Sequence, residues 1–399
     1  MTDTSKHIRG TIPLQRDLFE IPDGVTFLNC ANMSPQLRSV TAAGLESVKA
    51  KASPWKLTSS DWFSGAESLR ELAAKVLGAD AESMALVPSA SYGIAVAAAN
   101  VEVGRGQSIV LLSEQFPSNV YAWREVARQR DASIRTVRRE TDGSWTQAIL
   151  KAIDEDTAVV ATPNCHWTDG SLIDLGAVSE KVRSVGASLV VDASQSLGAY
   201  PLDVEKVQPD FLVSVGYKWL LGPYSLGYLY VAPRRWEGGK PLENSWFSRE
   251  GSEDFAGLVN YRDEYRAGAR RFDMGEAPNF VLVPMAIAAL RQIVDWGVGN
   301  IQQTLSVLTD MIAREAAEMG CDSLPAENRV GHMIGIRLPN GISEGLVRRL
   351  SDARIYVSIR GDAMRIAPHL YNDESDIERF FAVLRESAEK PCSSHRAAE

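Results

Sequence analysis

Short apolar runs alternate with helical stretches between about residues 84 and 232 of the chain. Seven of these runs have the length and the branched, aliphatic composition of buried strands: 84–88, 109–113, 134–137, 158–162, 189–192, 211–214 and 227–231. Strand-like runs that alternate with helices are typical of crossover units around a mostly parallel sheet. The pattern therefore predicts an α/β fold whose large domain contains a seven-stranded, mostly parallel sheet.

The pattern changes after this region. Residues 243–275 are polar, aromatic and irregular, and a connection of that length is more often functional than idle. The spacing of apolar residues then predicts an amphipathic helix from Phe280 through Trp296 and a second helix through Met319. Short strands near 332–338 and 355–359 complete a smaller α+β domain.

These patterns divide the chain into four predicted segments. Neither end of the chain shows the periodicity of a helix or strand, so both ends are expected to carry little structure. The segments are an N-terminal arm over 1–24, a large domain over 25–278, a small C-terminal domain over 279–390 and a flexible tail over 391–399.

Composition and charge narrow the function classes. The chain has 399 residues with 42 Lys and Arg against 51 Asp and Glu, a formal charge of −9. An acidic chain without a clustered basic footprint is not expected to bind nucleic acid. The polar start of the chain and the absence of a run of about 18 apolar residues predict a cytoplasmic protein without a membrane partner. No metal site or disulfide scaffold is predicted, because the four cysteines lie far apart: Cys30, Cys165, Cys321 and Cys392.

Candidate chemistry follows from the strand ends, because ligands of parallel sheets bind outside the carboxyl ends of the strands. The run at 84–88 opens into Ser89, Ala90 and Ser91 at the start of a small apolar helix. Hydroxyl residues in that position either cap the helix or, with the free backbone N–H groups, hold a phosphate. Taken alone, capping is the better interpretation.

Two further strand ends carry charged groups. Asp192 ends one strand, and Lys218 follows the next strand among tyrosine, tryptophan and leucine. A lysine in apolar surroundings must extend its amine to water, pair with an acid or lose its proton.

The combination of these groups predicts a cofactor. Pyridoxal phosphate needs a lysine amine that condenses with its aldehyde, a carboxylate that keeps its pyridine nitrogen protonated and a site for its phosphate. Lys218, Asp192 and the helix start at Ser91 supply one group for each task.

At this point the sequence resembles a family. The segments VVDASQSLGAYPLDV and DFLVSVGYKWLLGPYSLGYLYV are similar to the cofactor region of class V aminotransferase-type enzymes of fold type I, which include kynureninases, isopenicillin-N-epimerase-like proteins and cysteine desulfurases. The resemblance extends from FLNCANMSP at 27–35 through RIAPHLYN at 365–372. It implies the pyridoxal-phosphate-dependent transferase fold of type I.

The resemblance also implies roles for residues around the cofactor. Lys218 is the covalent attachment point, Asp192 the partner of the pyridine nitrogen and Gln195 the partner of the phenolic oxygen. Ser91, the Ala90 amide and Tyr217 are implied for the phosphate, with Ser214 as a further cofactor contact. Phe116 matches a phenylalanine that stacks on the ring in kynureninases, although it is an equally good core residue when the match is ignored. The assigned stretches are SASYG, EQFPSN, DASQS and SVGYK.

Other assignments come from the strand end near 164 and from the C-terminal domain. Relatives place an Asn near the cofactor oxygen, and the alignment leaves Asn164 and His166 as candidates, the latter as a catalytic group. Arg365 is implied to hold the α-carboxylate of a substrate in a bidentate fork. Arg360 and Asn32 are implied as further substrate contacts, although Arg360 also fits a solvated surface charge.

The long aromatic segment resembles a region that completes the phosphate site of a neighbouring subunit in relatives. Trp246 and residues 271–277 carry this match. Relatives often have a threonine near its end, where this chain has Glu276 and Ala277. The resemblance implies a homodimer with active sites at the interface.

The predicted activity is an enzyme that acts on a small amino acid by transamination or by lyase chemistry at a C–S or Cβ bond. A kynureninase-like hydrolase and an amino-acid epimerase are the alternatives. Cysteine desulfurases carry a reactive cysteine on a loop before the final arginine motif, and the stretch from Arg360 to Arg365 has none. A non-catalytic protein that retains the fold is a further hypothesis. A nucleotide-dependent enzyme is disfavoured because no GxGxxG or GxxxxGK[ST] loop follows a predicted strand.

Overall fold

The computed structural model describes residues 11–139 and 144–389. The chain divides into two compact units. The larger unit contains residues 36–167 and 172–298, and the smaller unit contains the chain up to Pro35, residues 168–171 and the chain from Gly299 onward. Residues 1–10 of the predicted arm and the predicted tail over 391–399 lie outside the described residues.

The larger unit is built on a seven-stranded sheet, as the apolar runs predict. Its strands are β2 (Met84–Val87), β3 (Ser108–Leu112), β4 (Ser133–Val137), β5 (Thr157–Pro163), β6 (Ser188–Asp192), β7 (Phe211–Val215) and β8 (Gly227–Val231). They lie in the order β2-β8-β7-β6-β5-β3-β4. The five strands from β7 to β4 are parallel, and β8 runs antiparallel to both of its neighbours.

Helices cover both faces of this sheet, which explains why the strands read as continuous apolar runs. The helices of this unit are α1 (Arg38–Ala50), α2 (Asp61–Leu77), α3 (Ala90–Asn100), α4 (Tyr121–Arg130), α5 (Trp145–Ala152), α6 (Leu175–Ser184), α7 (Val204–Val207) and α8 (Leu282–Trp296). One face of the sheet packs against side chains of α2, α5, α6 and α8, and the other face packs against α3 and α4.

Helix α3 lies close against the sheet because it carries a glycine where it meets β7. A Cβ atom at Gly93 would come within 2.5 Å of the Val213 side chain. This close approach fixes where the first turn of α3 lies relative to the end of β7. An alanine at this position would have to push the helix away from the sheet.

The described residues of the smaller unit form an antiparallel sheet and three α-helices. The elements of this unit are β1 (Thr26–Phe27), α9 (Val298–Glu318), β9 (Asp322–Ser323), β10 (Ile334–Arg337), α10 (Glu344–Asp352), β11 (Ile355–Tyr356), β12 (Ser358–Arg360), β13 (Ala363–Ile366) and α11 (Glu374–Glu389). The antiparallel sheet has the order β12-β13-β10-β9, while β1 pairs with β11 in parallel as a separate two-stranded sheet. Within the described parts of the chain, no single helix is both long and apolar enough to cross a membrane; α8 and α9 meet those criteria only when counted together.

The two units differ from the predicted domain limits at both ends. Helix α8 groups with the larger unit, because its buried residues Val283, Ala286 and Leu290 belong to the same apolar cluster as helix α2. The chain near residue 26 groups with the smaller unit, because Thr26 of β1 pairs with Ile355 of β11. The predicted boundaries at 25 and 278 followed sequence order and missed this pairing.

A buried ion pair fastens the segment before α8 to helix α2. The Arg70 side chain is fully buried, and its Nη2 lies 2.8 Å from Oδ2 of the buried Asp273. Asp273 Oδ1 also accepts the Leu86 backbone N–H at 2.7 Å. These bonds hold residues 268–273 against β2.

We expect Asp273→Ala to lower the free energy of unfolding by about 3–5 kcal/mol, because it leaves the buried Arg70 charge without its main partner. Urea denaturation followed by circular dichroism measures the loss. Arg105→Ala is the matched control, since Arg105 pairs with Asp131 on the surface and both side chains are more than 70% exposed; its effect should stay below about 1 kcal/mol. Equal effects of the two substitutions would contradict a structural role for the buried pair.

Glu67 joins the same network and makes its stability depend on pH. Burial acts to raise the pKa of Glu67, but the hydrogen bond from Arg270 and the charges of Arg70, Arg270 and Arg266 lower it to about 2. A carboxyl whose pKa falls on folding stabilises the folded state fully above its ordinary pKa and loses that contribution as the pH falls through the folded value.

The stability difference between the wild type and Glu67→Gln should therefore be constant above about pH 5 and shrink between about pH 4.5 and 2. Denaturation midpoints at several pH values measure this difference. Glu46→Gln is the control, because Glu46 forms an exposed pair with Lys49. A Glu67→Gln difference that persists unchanged below pH 3 would rule out the proposed titration.

Candidate active site

A cavity of about 260 Å³ lies at the carboxyl ends of the central parallel strands. Its wall contains the last residue of each of three strands, Pro163 of β5, Asp192 of β6 and Val215 of β7, and the residues before helix α3. This is the position where parallel sheets bind ligands. The lining residues are Pro88, Ser89, Ala90, Ser91, Gln115, Phe116, Ser118, Pro163, Cys165, Trp167, Asp192, Ser194, Gln195, Val215, Tyr217, Lys218, Tyr224 and Ser225.

Lys218 lies in the tight turn after β7 and is 7% exposed. Its Nζ is 5.4 Å from the centroid of the Phe116 ring and 5.8 Å from that of Tyr217. The turn depends on Gly216, where a Cβ atom would lie 2.7 Å from the Leu226 carbonyl oxygen. The chain therefore presents the lysine amine to the cavity between two aromatic rings.

Asp192 is the other charged residue in the wall of this cavity among the described residues. It is 7% exposed, and its Oδ1 accepts the backbone N–H of Ser194 at 3.0 Å. Its register partners are Pro163 on β5 and Val213 on β7, so Asp192 is at the end of the strand between these two neighbours. A buried carboxylate and a buried amine thus face the same small space.

The first turn of α3 forms a third part of the wall. Ser89 caps the helix, since its Oγ accepts the Tyr92 N–H at 3.1 Å, as the capping interpretation expects. The N–H groups of Ala90 and Ser91 precede the first intrahelical bond, and such groups favour anions. Ser91 Oγ also lies 2.9 Å from Ser118 Oγ, so two hydroxyls flank the helix start.

Gln195 and Tyr217 both line the cavity, in agreement with their predicted positions. Gln195 is held by its Oε1, which accepts the Trp219 indole N–H at 3.0 Å. Burial, together with Tyr224 and Asp192, raises the pKa of Tyr217, so its phenol stays protonated and can donate a hydrogen bond. Its ring packs against Tyr224 at 4.5 Å between centroids.

Three predicted cofactor contacts are not among the residues that line the cavity, and their roles remain predictions. Ser214 lies on β7 between two residues that share the face of Asp192, and its hydroxyl lies 3.4 Å from the Ala193 carbonyl. Asn164 is buried and donates to the Ile173 carbonyl at 3.3 Å. The buried His166 ring stacks on Trp145 at 4.9 Å, as a structural histidine does.

Neighbours of these residues do line the cavity. Pro163, Cys165 and Trp167 are in its wall, while the intervening Asn164 and His166 are not. Val215, which follows Ser214 on β7, is in the wall as well.

Trp246 lines a different cavity, together with residues 244, 245, 249–252, 257, 258 and 260–263. Its ring makes edge-to-face contacts with Trp62, Phe63 and Phe255, with centroids 5.6–6.1 Å apart. A contribution of Trp246 to a neighbouring subunit remains a prediction.

The predicted substrate residues belong to the smaller unit. Arg365 is buried on β13, with Gly335 and Ser358 as its register partners. Arg360 ends β12 and is half-buried, which lowers the pKa of its guanidinium. The Asn32 side chain is exposed. Their roles toward a substrate remain predictions.

The residues of the cavity fit pyridoxal phosphate. Two buried polar atoms in its wall, Ser194 Oγ and Gln115 Oε1, have no hydrogen-bond partner among the described residues, as expected of a space built for a polar ligand. The wall also supplies the amine, the carboxylate and the anion-binding helix start that the cofactor needs. Ser118, Ser194, Cys165, Trp167, Tyr224 and Ser225 line this space although the sequence did not identify them.

Comparison with known proteins decides the family. Residues 48–380 match the family described as Aminotransferase class-V. The chain belongs to the class V aminotransferase family. Pyridoxal phosphate is therefore its cofactor, which confirms the prediction, and the protein is an enzyme.

Relatives of this class V enzyme include an uncharacterised aminotransferase, YcbU, of Bacillus subtilis, which is 27% identical over 91% of this chain and 94% of its own. An isopenicillin N epimerase of Streptomyces clavuligerus is 26% identical over 79% of this chain and 82% of its own. A kynureninase of Geobacillus thermodenitrificans is 25% identical over 67% of this chain and 66% of its own.

Solved structures confirm fold type I for the enzyme. A cysteine desulfurase of Thermococcus onnurineus superimposes with a TM-score of 0.82 at 20% identity, covering 95% of this chain and 99% of its own. A cystine C-S lyase in complex with cysteine persulfide gives 0.81 at 18% identity, covering 90% and 97%. At these identities the likeness concerns the fold.

Proposed function

We propose that this class V enzyme acts on the amino group or the Cβ substituent of a small amino acid, by transamination or by lyase chemistry. The observation that carries the proposal is the burial of the Lys218 amine and the Asp192 carboxylate in the wall of one cavity at the strand ends. When bound, pyridoxal phosphate supplies an electron sink for the charge that develops at the substrate Cα.

We assign a separate role to each group of residues in the cavity. Lys218 Nζ would attach the cofactor and, once released from it, would take and return the proton at the substrate Cα. The Asp192 carboxylate would accept a hydrogen bond from the pyridine nitrogen and keep that nitrogen protonated. The amides of Ala90 and Ser91, the hydroxyls of Ser91 and Ser118, and the Tyr217 phenol would hold the phosphate.

The composition of the cavity wall also supports a particular kind of substrate side chain. Apart from Lys218 and Asp192, the described residues of the wall are uncharged: serines, glutamines, a cysteine and aromatic or apolar side chains. Desolvating a charged substrate group against such a wall is unfavourable without a partner. This composition supports a small, uncharged side chain, while the residue match proposes Arg365 for the carboxylate.

A persulfide mechanism is disfavoured by the connection before Arg365. Strands β12 and β13 are joined by a two-residue turn, Gly361 and Asp362, with φ of 60° at the glycine. Asp362 is held by Arg337 at 3.1 Å. Such a turn has no space for the cysteine-bearing loop of a desulfurase, and Cys165 in the cavity wall is buried beside β5.

A hydrolase or an epimerase is the second candidate. The isopenicillin N epimerase and kynureninase relatives favour it, and so do Phe116 and Tyr217, which match the kynureninase pattern and line the cavity. Epimerisation returns the substrate with inverted configuration, whereas transamination releases a keto acid and lyase chemistry releases the Cβ substituent.

A half-reaction screen separates these outcomes. The holoenzyme is mixed with each common amino acid in either configuration, the visible spectrum is recorded, and the products are identified by mass spectrometry and chiral chromatography. Keto acid with loss of visible absorbance supports transamination, and sulfide or another leaving group supports lyase chemistry. If the only product is the substrate with inverted configuration, the enzyme is an epimerase and the proposed transaminase or lyase activity is wrong.

We further propose that the enzyme is a homodimer in which Trp246 of one subunit contributes to the phosphate site of the other. Trp246→Ala should then weaken cofactor binding about tenfold or more, the value of a hydrogen bond to a charged group. Equilibrium dialysis gives the dissociation constant and sedimentation gives the oligomeric state. Trp55→Ala is the control, since Trp55 is 77% exposed on a separate short helix.

A mixing experiment tests the exchange between subunits. Trp246→Ala subunits keep Lys218, and Lys218→Ala subunits keep Trp246, so a hybrid dimer would contain one complete site. Recovered activity in the mixture supports the shared site. If the mixture stays at the level of its two components although hybrids form, Trp246 acts within its own subunit or not at all.

A further inference from the structure

Trp167 makes two separate interactions with the loop that carries Phe116 in the cavity wall. Its indole Nε1 donates to the Glu114 carbonyl at 2.6 Å, and its ring meets the Phe116 ring edge-to-face, with centroids 5.4 Å apart and planes at 80°. The first interaction fixes the backbone two residues before Phe116, and the second fixes the ring itself.

The backbone at Glu114 shows that this loop is held in place from outside. Its φ is 56°, in the left-handed region that residues with a side chain seldom adopt. Such a conformation persists only where surrounding contacts determine it. The hydrogen bond from Trp167 is a contact on the carbonyl of this residue.

Other contacts of the loop fix the backbone after Phe116. Gln115 Nε2 donates to the Asn119 carbonyl at 2.7 Å, and Trp123 Nε1 donates to Asn119 Oδ1 at 2.9 Å. Phe116 is 38% exposed and directly precedes the short 3₁₀ helix Pro117–Asn119. A ring in this position is free to change rotamer unless a neighbour packs against it.

We propose that Trp167 is the positioning residue for Phe116. Its hydrogen bond to Glu114 and its ring edge together hold the Phe116 ring over the cavity, 5.4 Å from Lys218 Nζ. The inference rests on the proposed function and on the residue match that implies packing of Phe116 against the ring of the bound cofactor. Trp167 acts through Phe116 and is not itself assigned a chemical step.

Two substitutions separate the two interactions. Trp167→Phe keeps an aromatic edge and loses the hydrogen bond, whereas Trp167→Ala loses both. Trp236→Phe is the matched control, because Trp236 is similarly half-buried, also donates its Nε1 to a backbone carbonyl, that of Val231 at 3.0 Å, and lies outside the cavity wall.

The full-chain holoenzyme is measured in two ways, by equilibrium dialysis for the cofactor dissociation constant and by visible circular dichroism for the asymmetry around the cofactor ring. We expect Trp167→Ala to raise the dissociation constant roughly 2- to 10-fold, the range of one aromatic pair, and to reduce the dichroism. Trp167→Phe should give a smaller change and Trp236→Phe none.

A double-mutant cycle with Phe116→Leu identifies the route of the effect. If Trp167 acts through Phe116, Trp167→Ala should have no further effect on cofactor binding in the Phe116→Leu background. Additive effects would show that Trp167 acts by another route and would overturn the proposal. The Trp167→Phe arm of the cycle gives the same test if the alanine variant does not fold.

The outcome is distinguishable from a failure of the proposed function. A wild-type protein that binds the cofactor but processes no amino acid would remove the proposed reaction and leave the cycle interpretable. A wild-type protein that reacts normally, together with Trp167 variants that match it in dissociation constant and dichroism, would remove the role of Trp167 alone.

Discussion

Lys218→Ala is expected to abolish the visible absorbance of the bound cofactor and to lower turnover by about 10³-fold or more. The amine both attaches the cofactor and moves the proton at Cα, and a positioned general base alone contributes about 10²–10⁴-fold. Lys218 is 7% exposed in the cavity wall, between the Phe116 and Tyr217 rings, so bulk water cannot easily replace it as a base.

Two variants make this result specific. Lys218→Arg keeps the positive charge at the same position but offers no amine for covalent attachment, so it should also lose the absorbance. Lys75→Ala removes an exposed lysine from α2 and should leave the spectrum and the turnover unchanged. Retained absorbance and turnover in Lys218→Ala would refute the assignment of this lysine.

Asp192→Asn should retain much of the cofactor and lose about 10²–10³-fold in turnover, in line with the loss of one preorganised electrostatic contact in a buried site. The amide oxygen can still accept the Ser194 N–H that Asp192 Oδ1 accepts at 3.0 Å. The substitution therefore removes the charge with little change of local structure. Steady-state kinetics and the absorbance of the purified variant measure the two effects separately.

Asp210→Asn is the matched control for this prediction. Asp210 is also a buried carboxylate next to a central strand, and it accepts the Leu189 N–H at 2.8 Å, but it precedes β7 and lies outside the cavity wall. Its loss should affect stability through Arg234 and Arg235 and leave turnover unchanged. Equal losses of turnover in the two variants would show that burial of a charge, and not its contact with the cofactor, explains the effect.

The sequence predicted the sheet well for a physical reason. Strands buried on both faces are continuous apolar runs, and all seven predicted runs match a strand to within about two residues at each end. The short strands β9 and β13 of the smaller unit escaped prediction. β9 has two polar residues, Asp322 and Ser323, and the third of the four residues of β13 is Arg365, so neither forms a continuous apolar run.

The domain limits depend on contacts between residues that are far apart in the sequence. Strand β1 has two residues, and its partner β11 lies more than 300 residues away in the chain. No local pattern near Thr26 indicates that pairing. Helix α8 likewise reads as the start of a new domain, while its apolar face packs with α2 in the larger unit.

For the candidate site, too, some features could be predicted from the sequence and others are visible only in the tertiary structure. The sequence by itself determined the central sheet, the lysine and carboxylate at neighbouring strand ends, and the helix start beside them, because these follow from apolar runs and the residues that end them. Only the tertiary structure decided that Cys165 and Trp167 line the cavity, while Asn164, His166 and Ser214 are not among its lining residues. The reason is that strand register and left-handed residues such as Glu114 and Ser225 set the direction of each side chain, and both are fixed by contacts with distant parts of the chain.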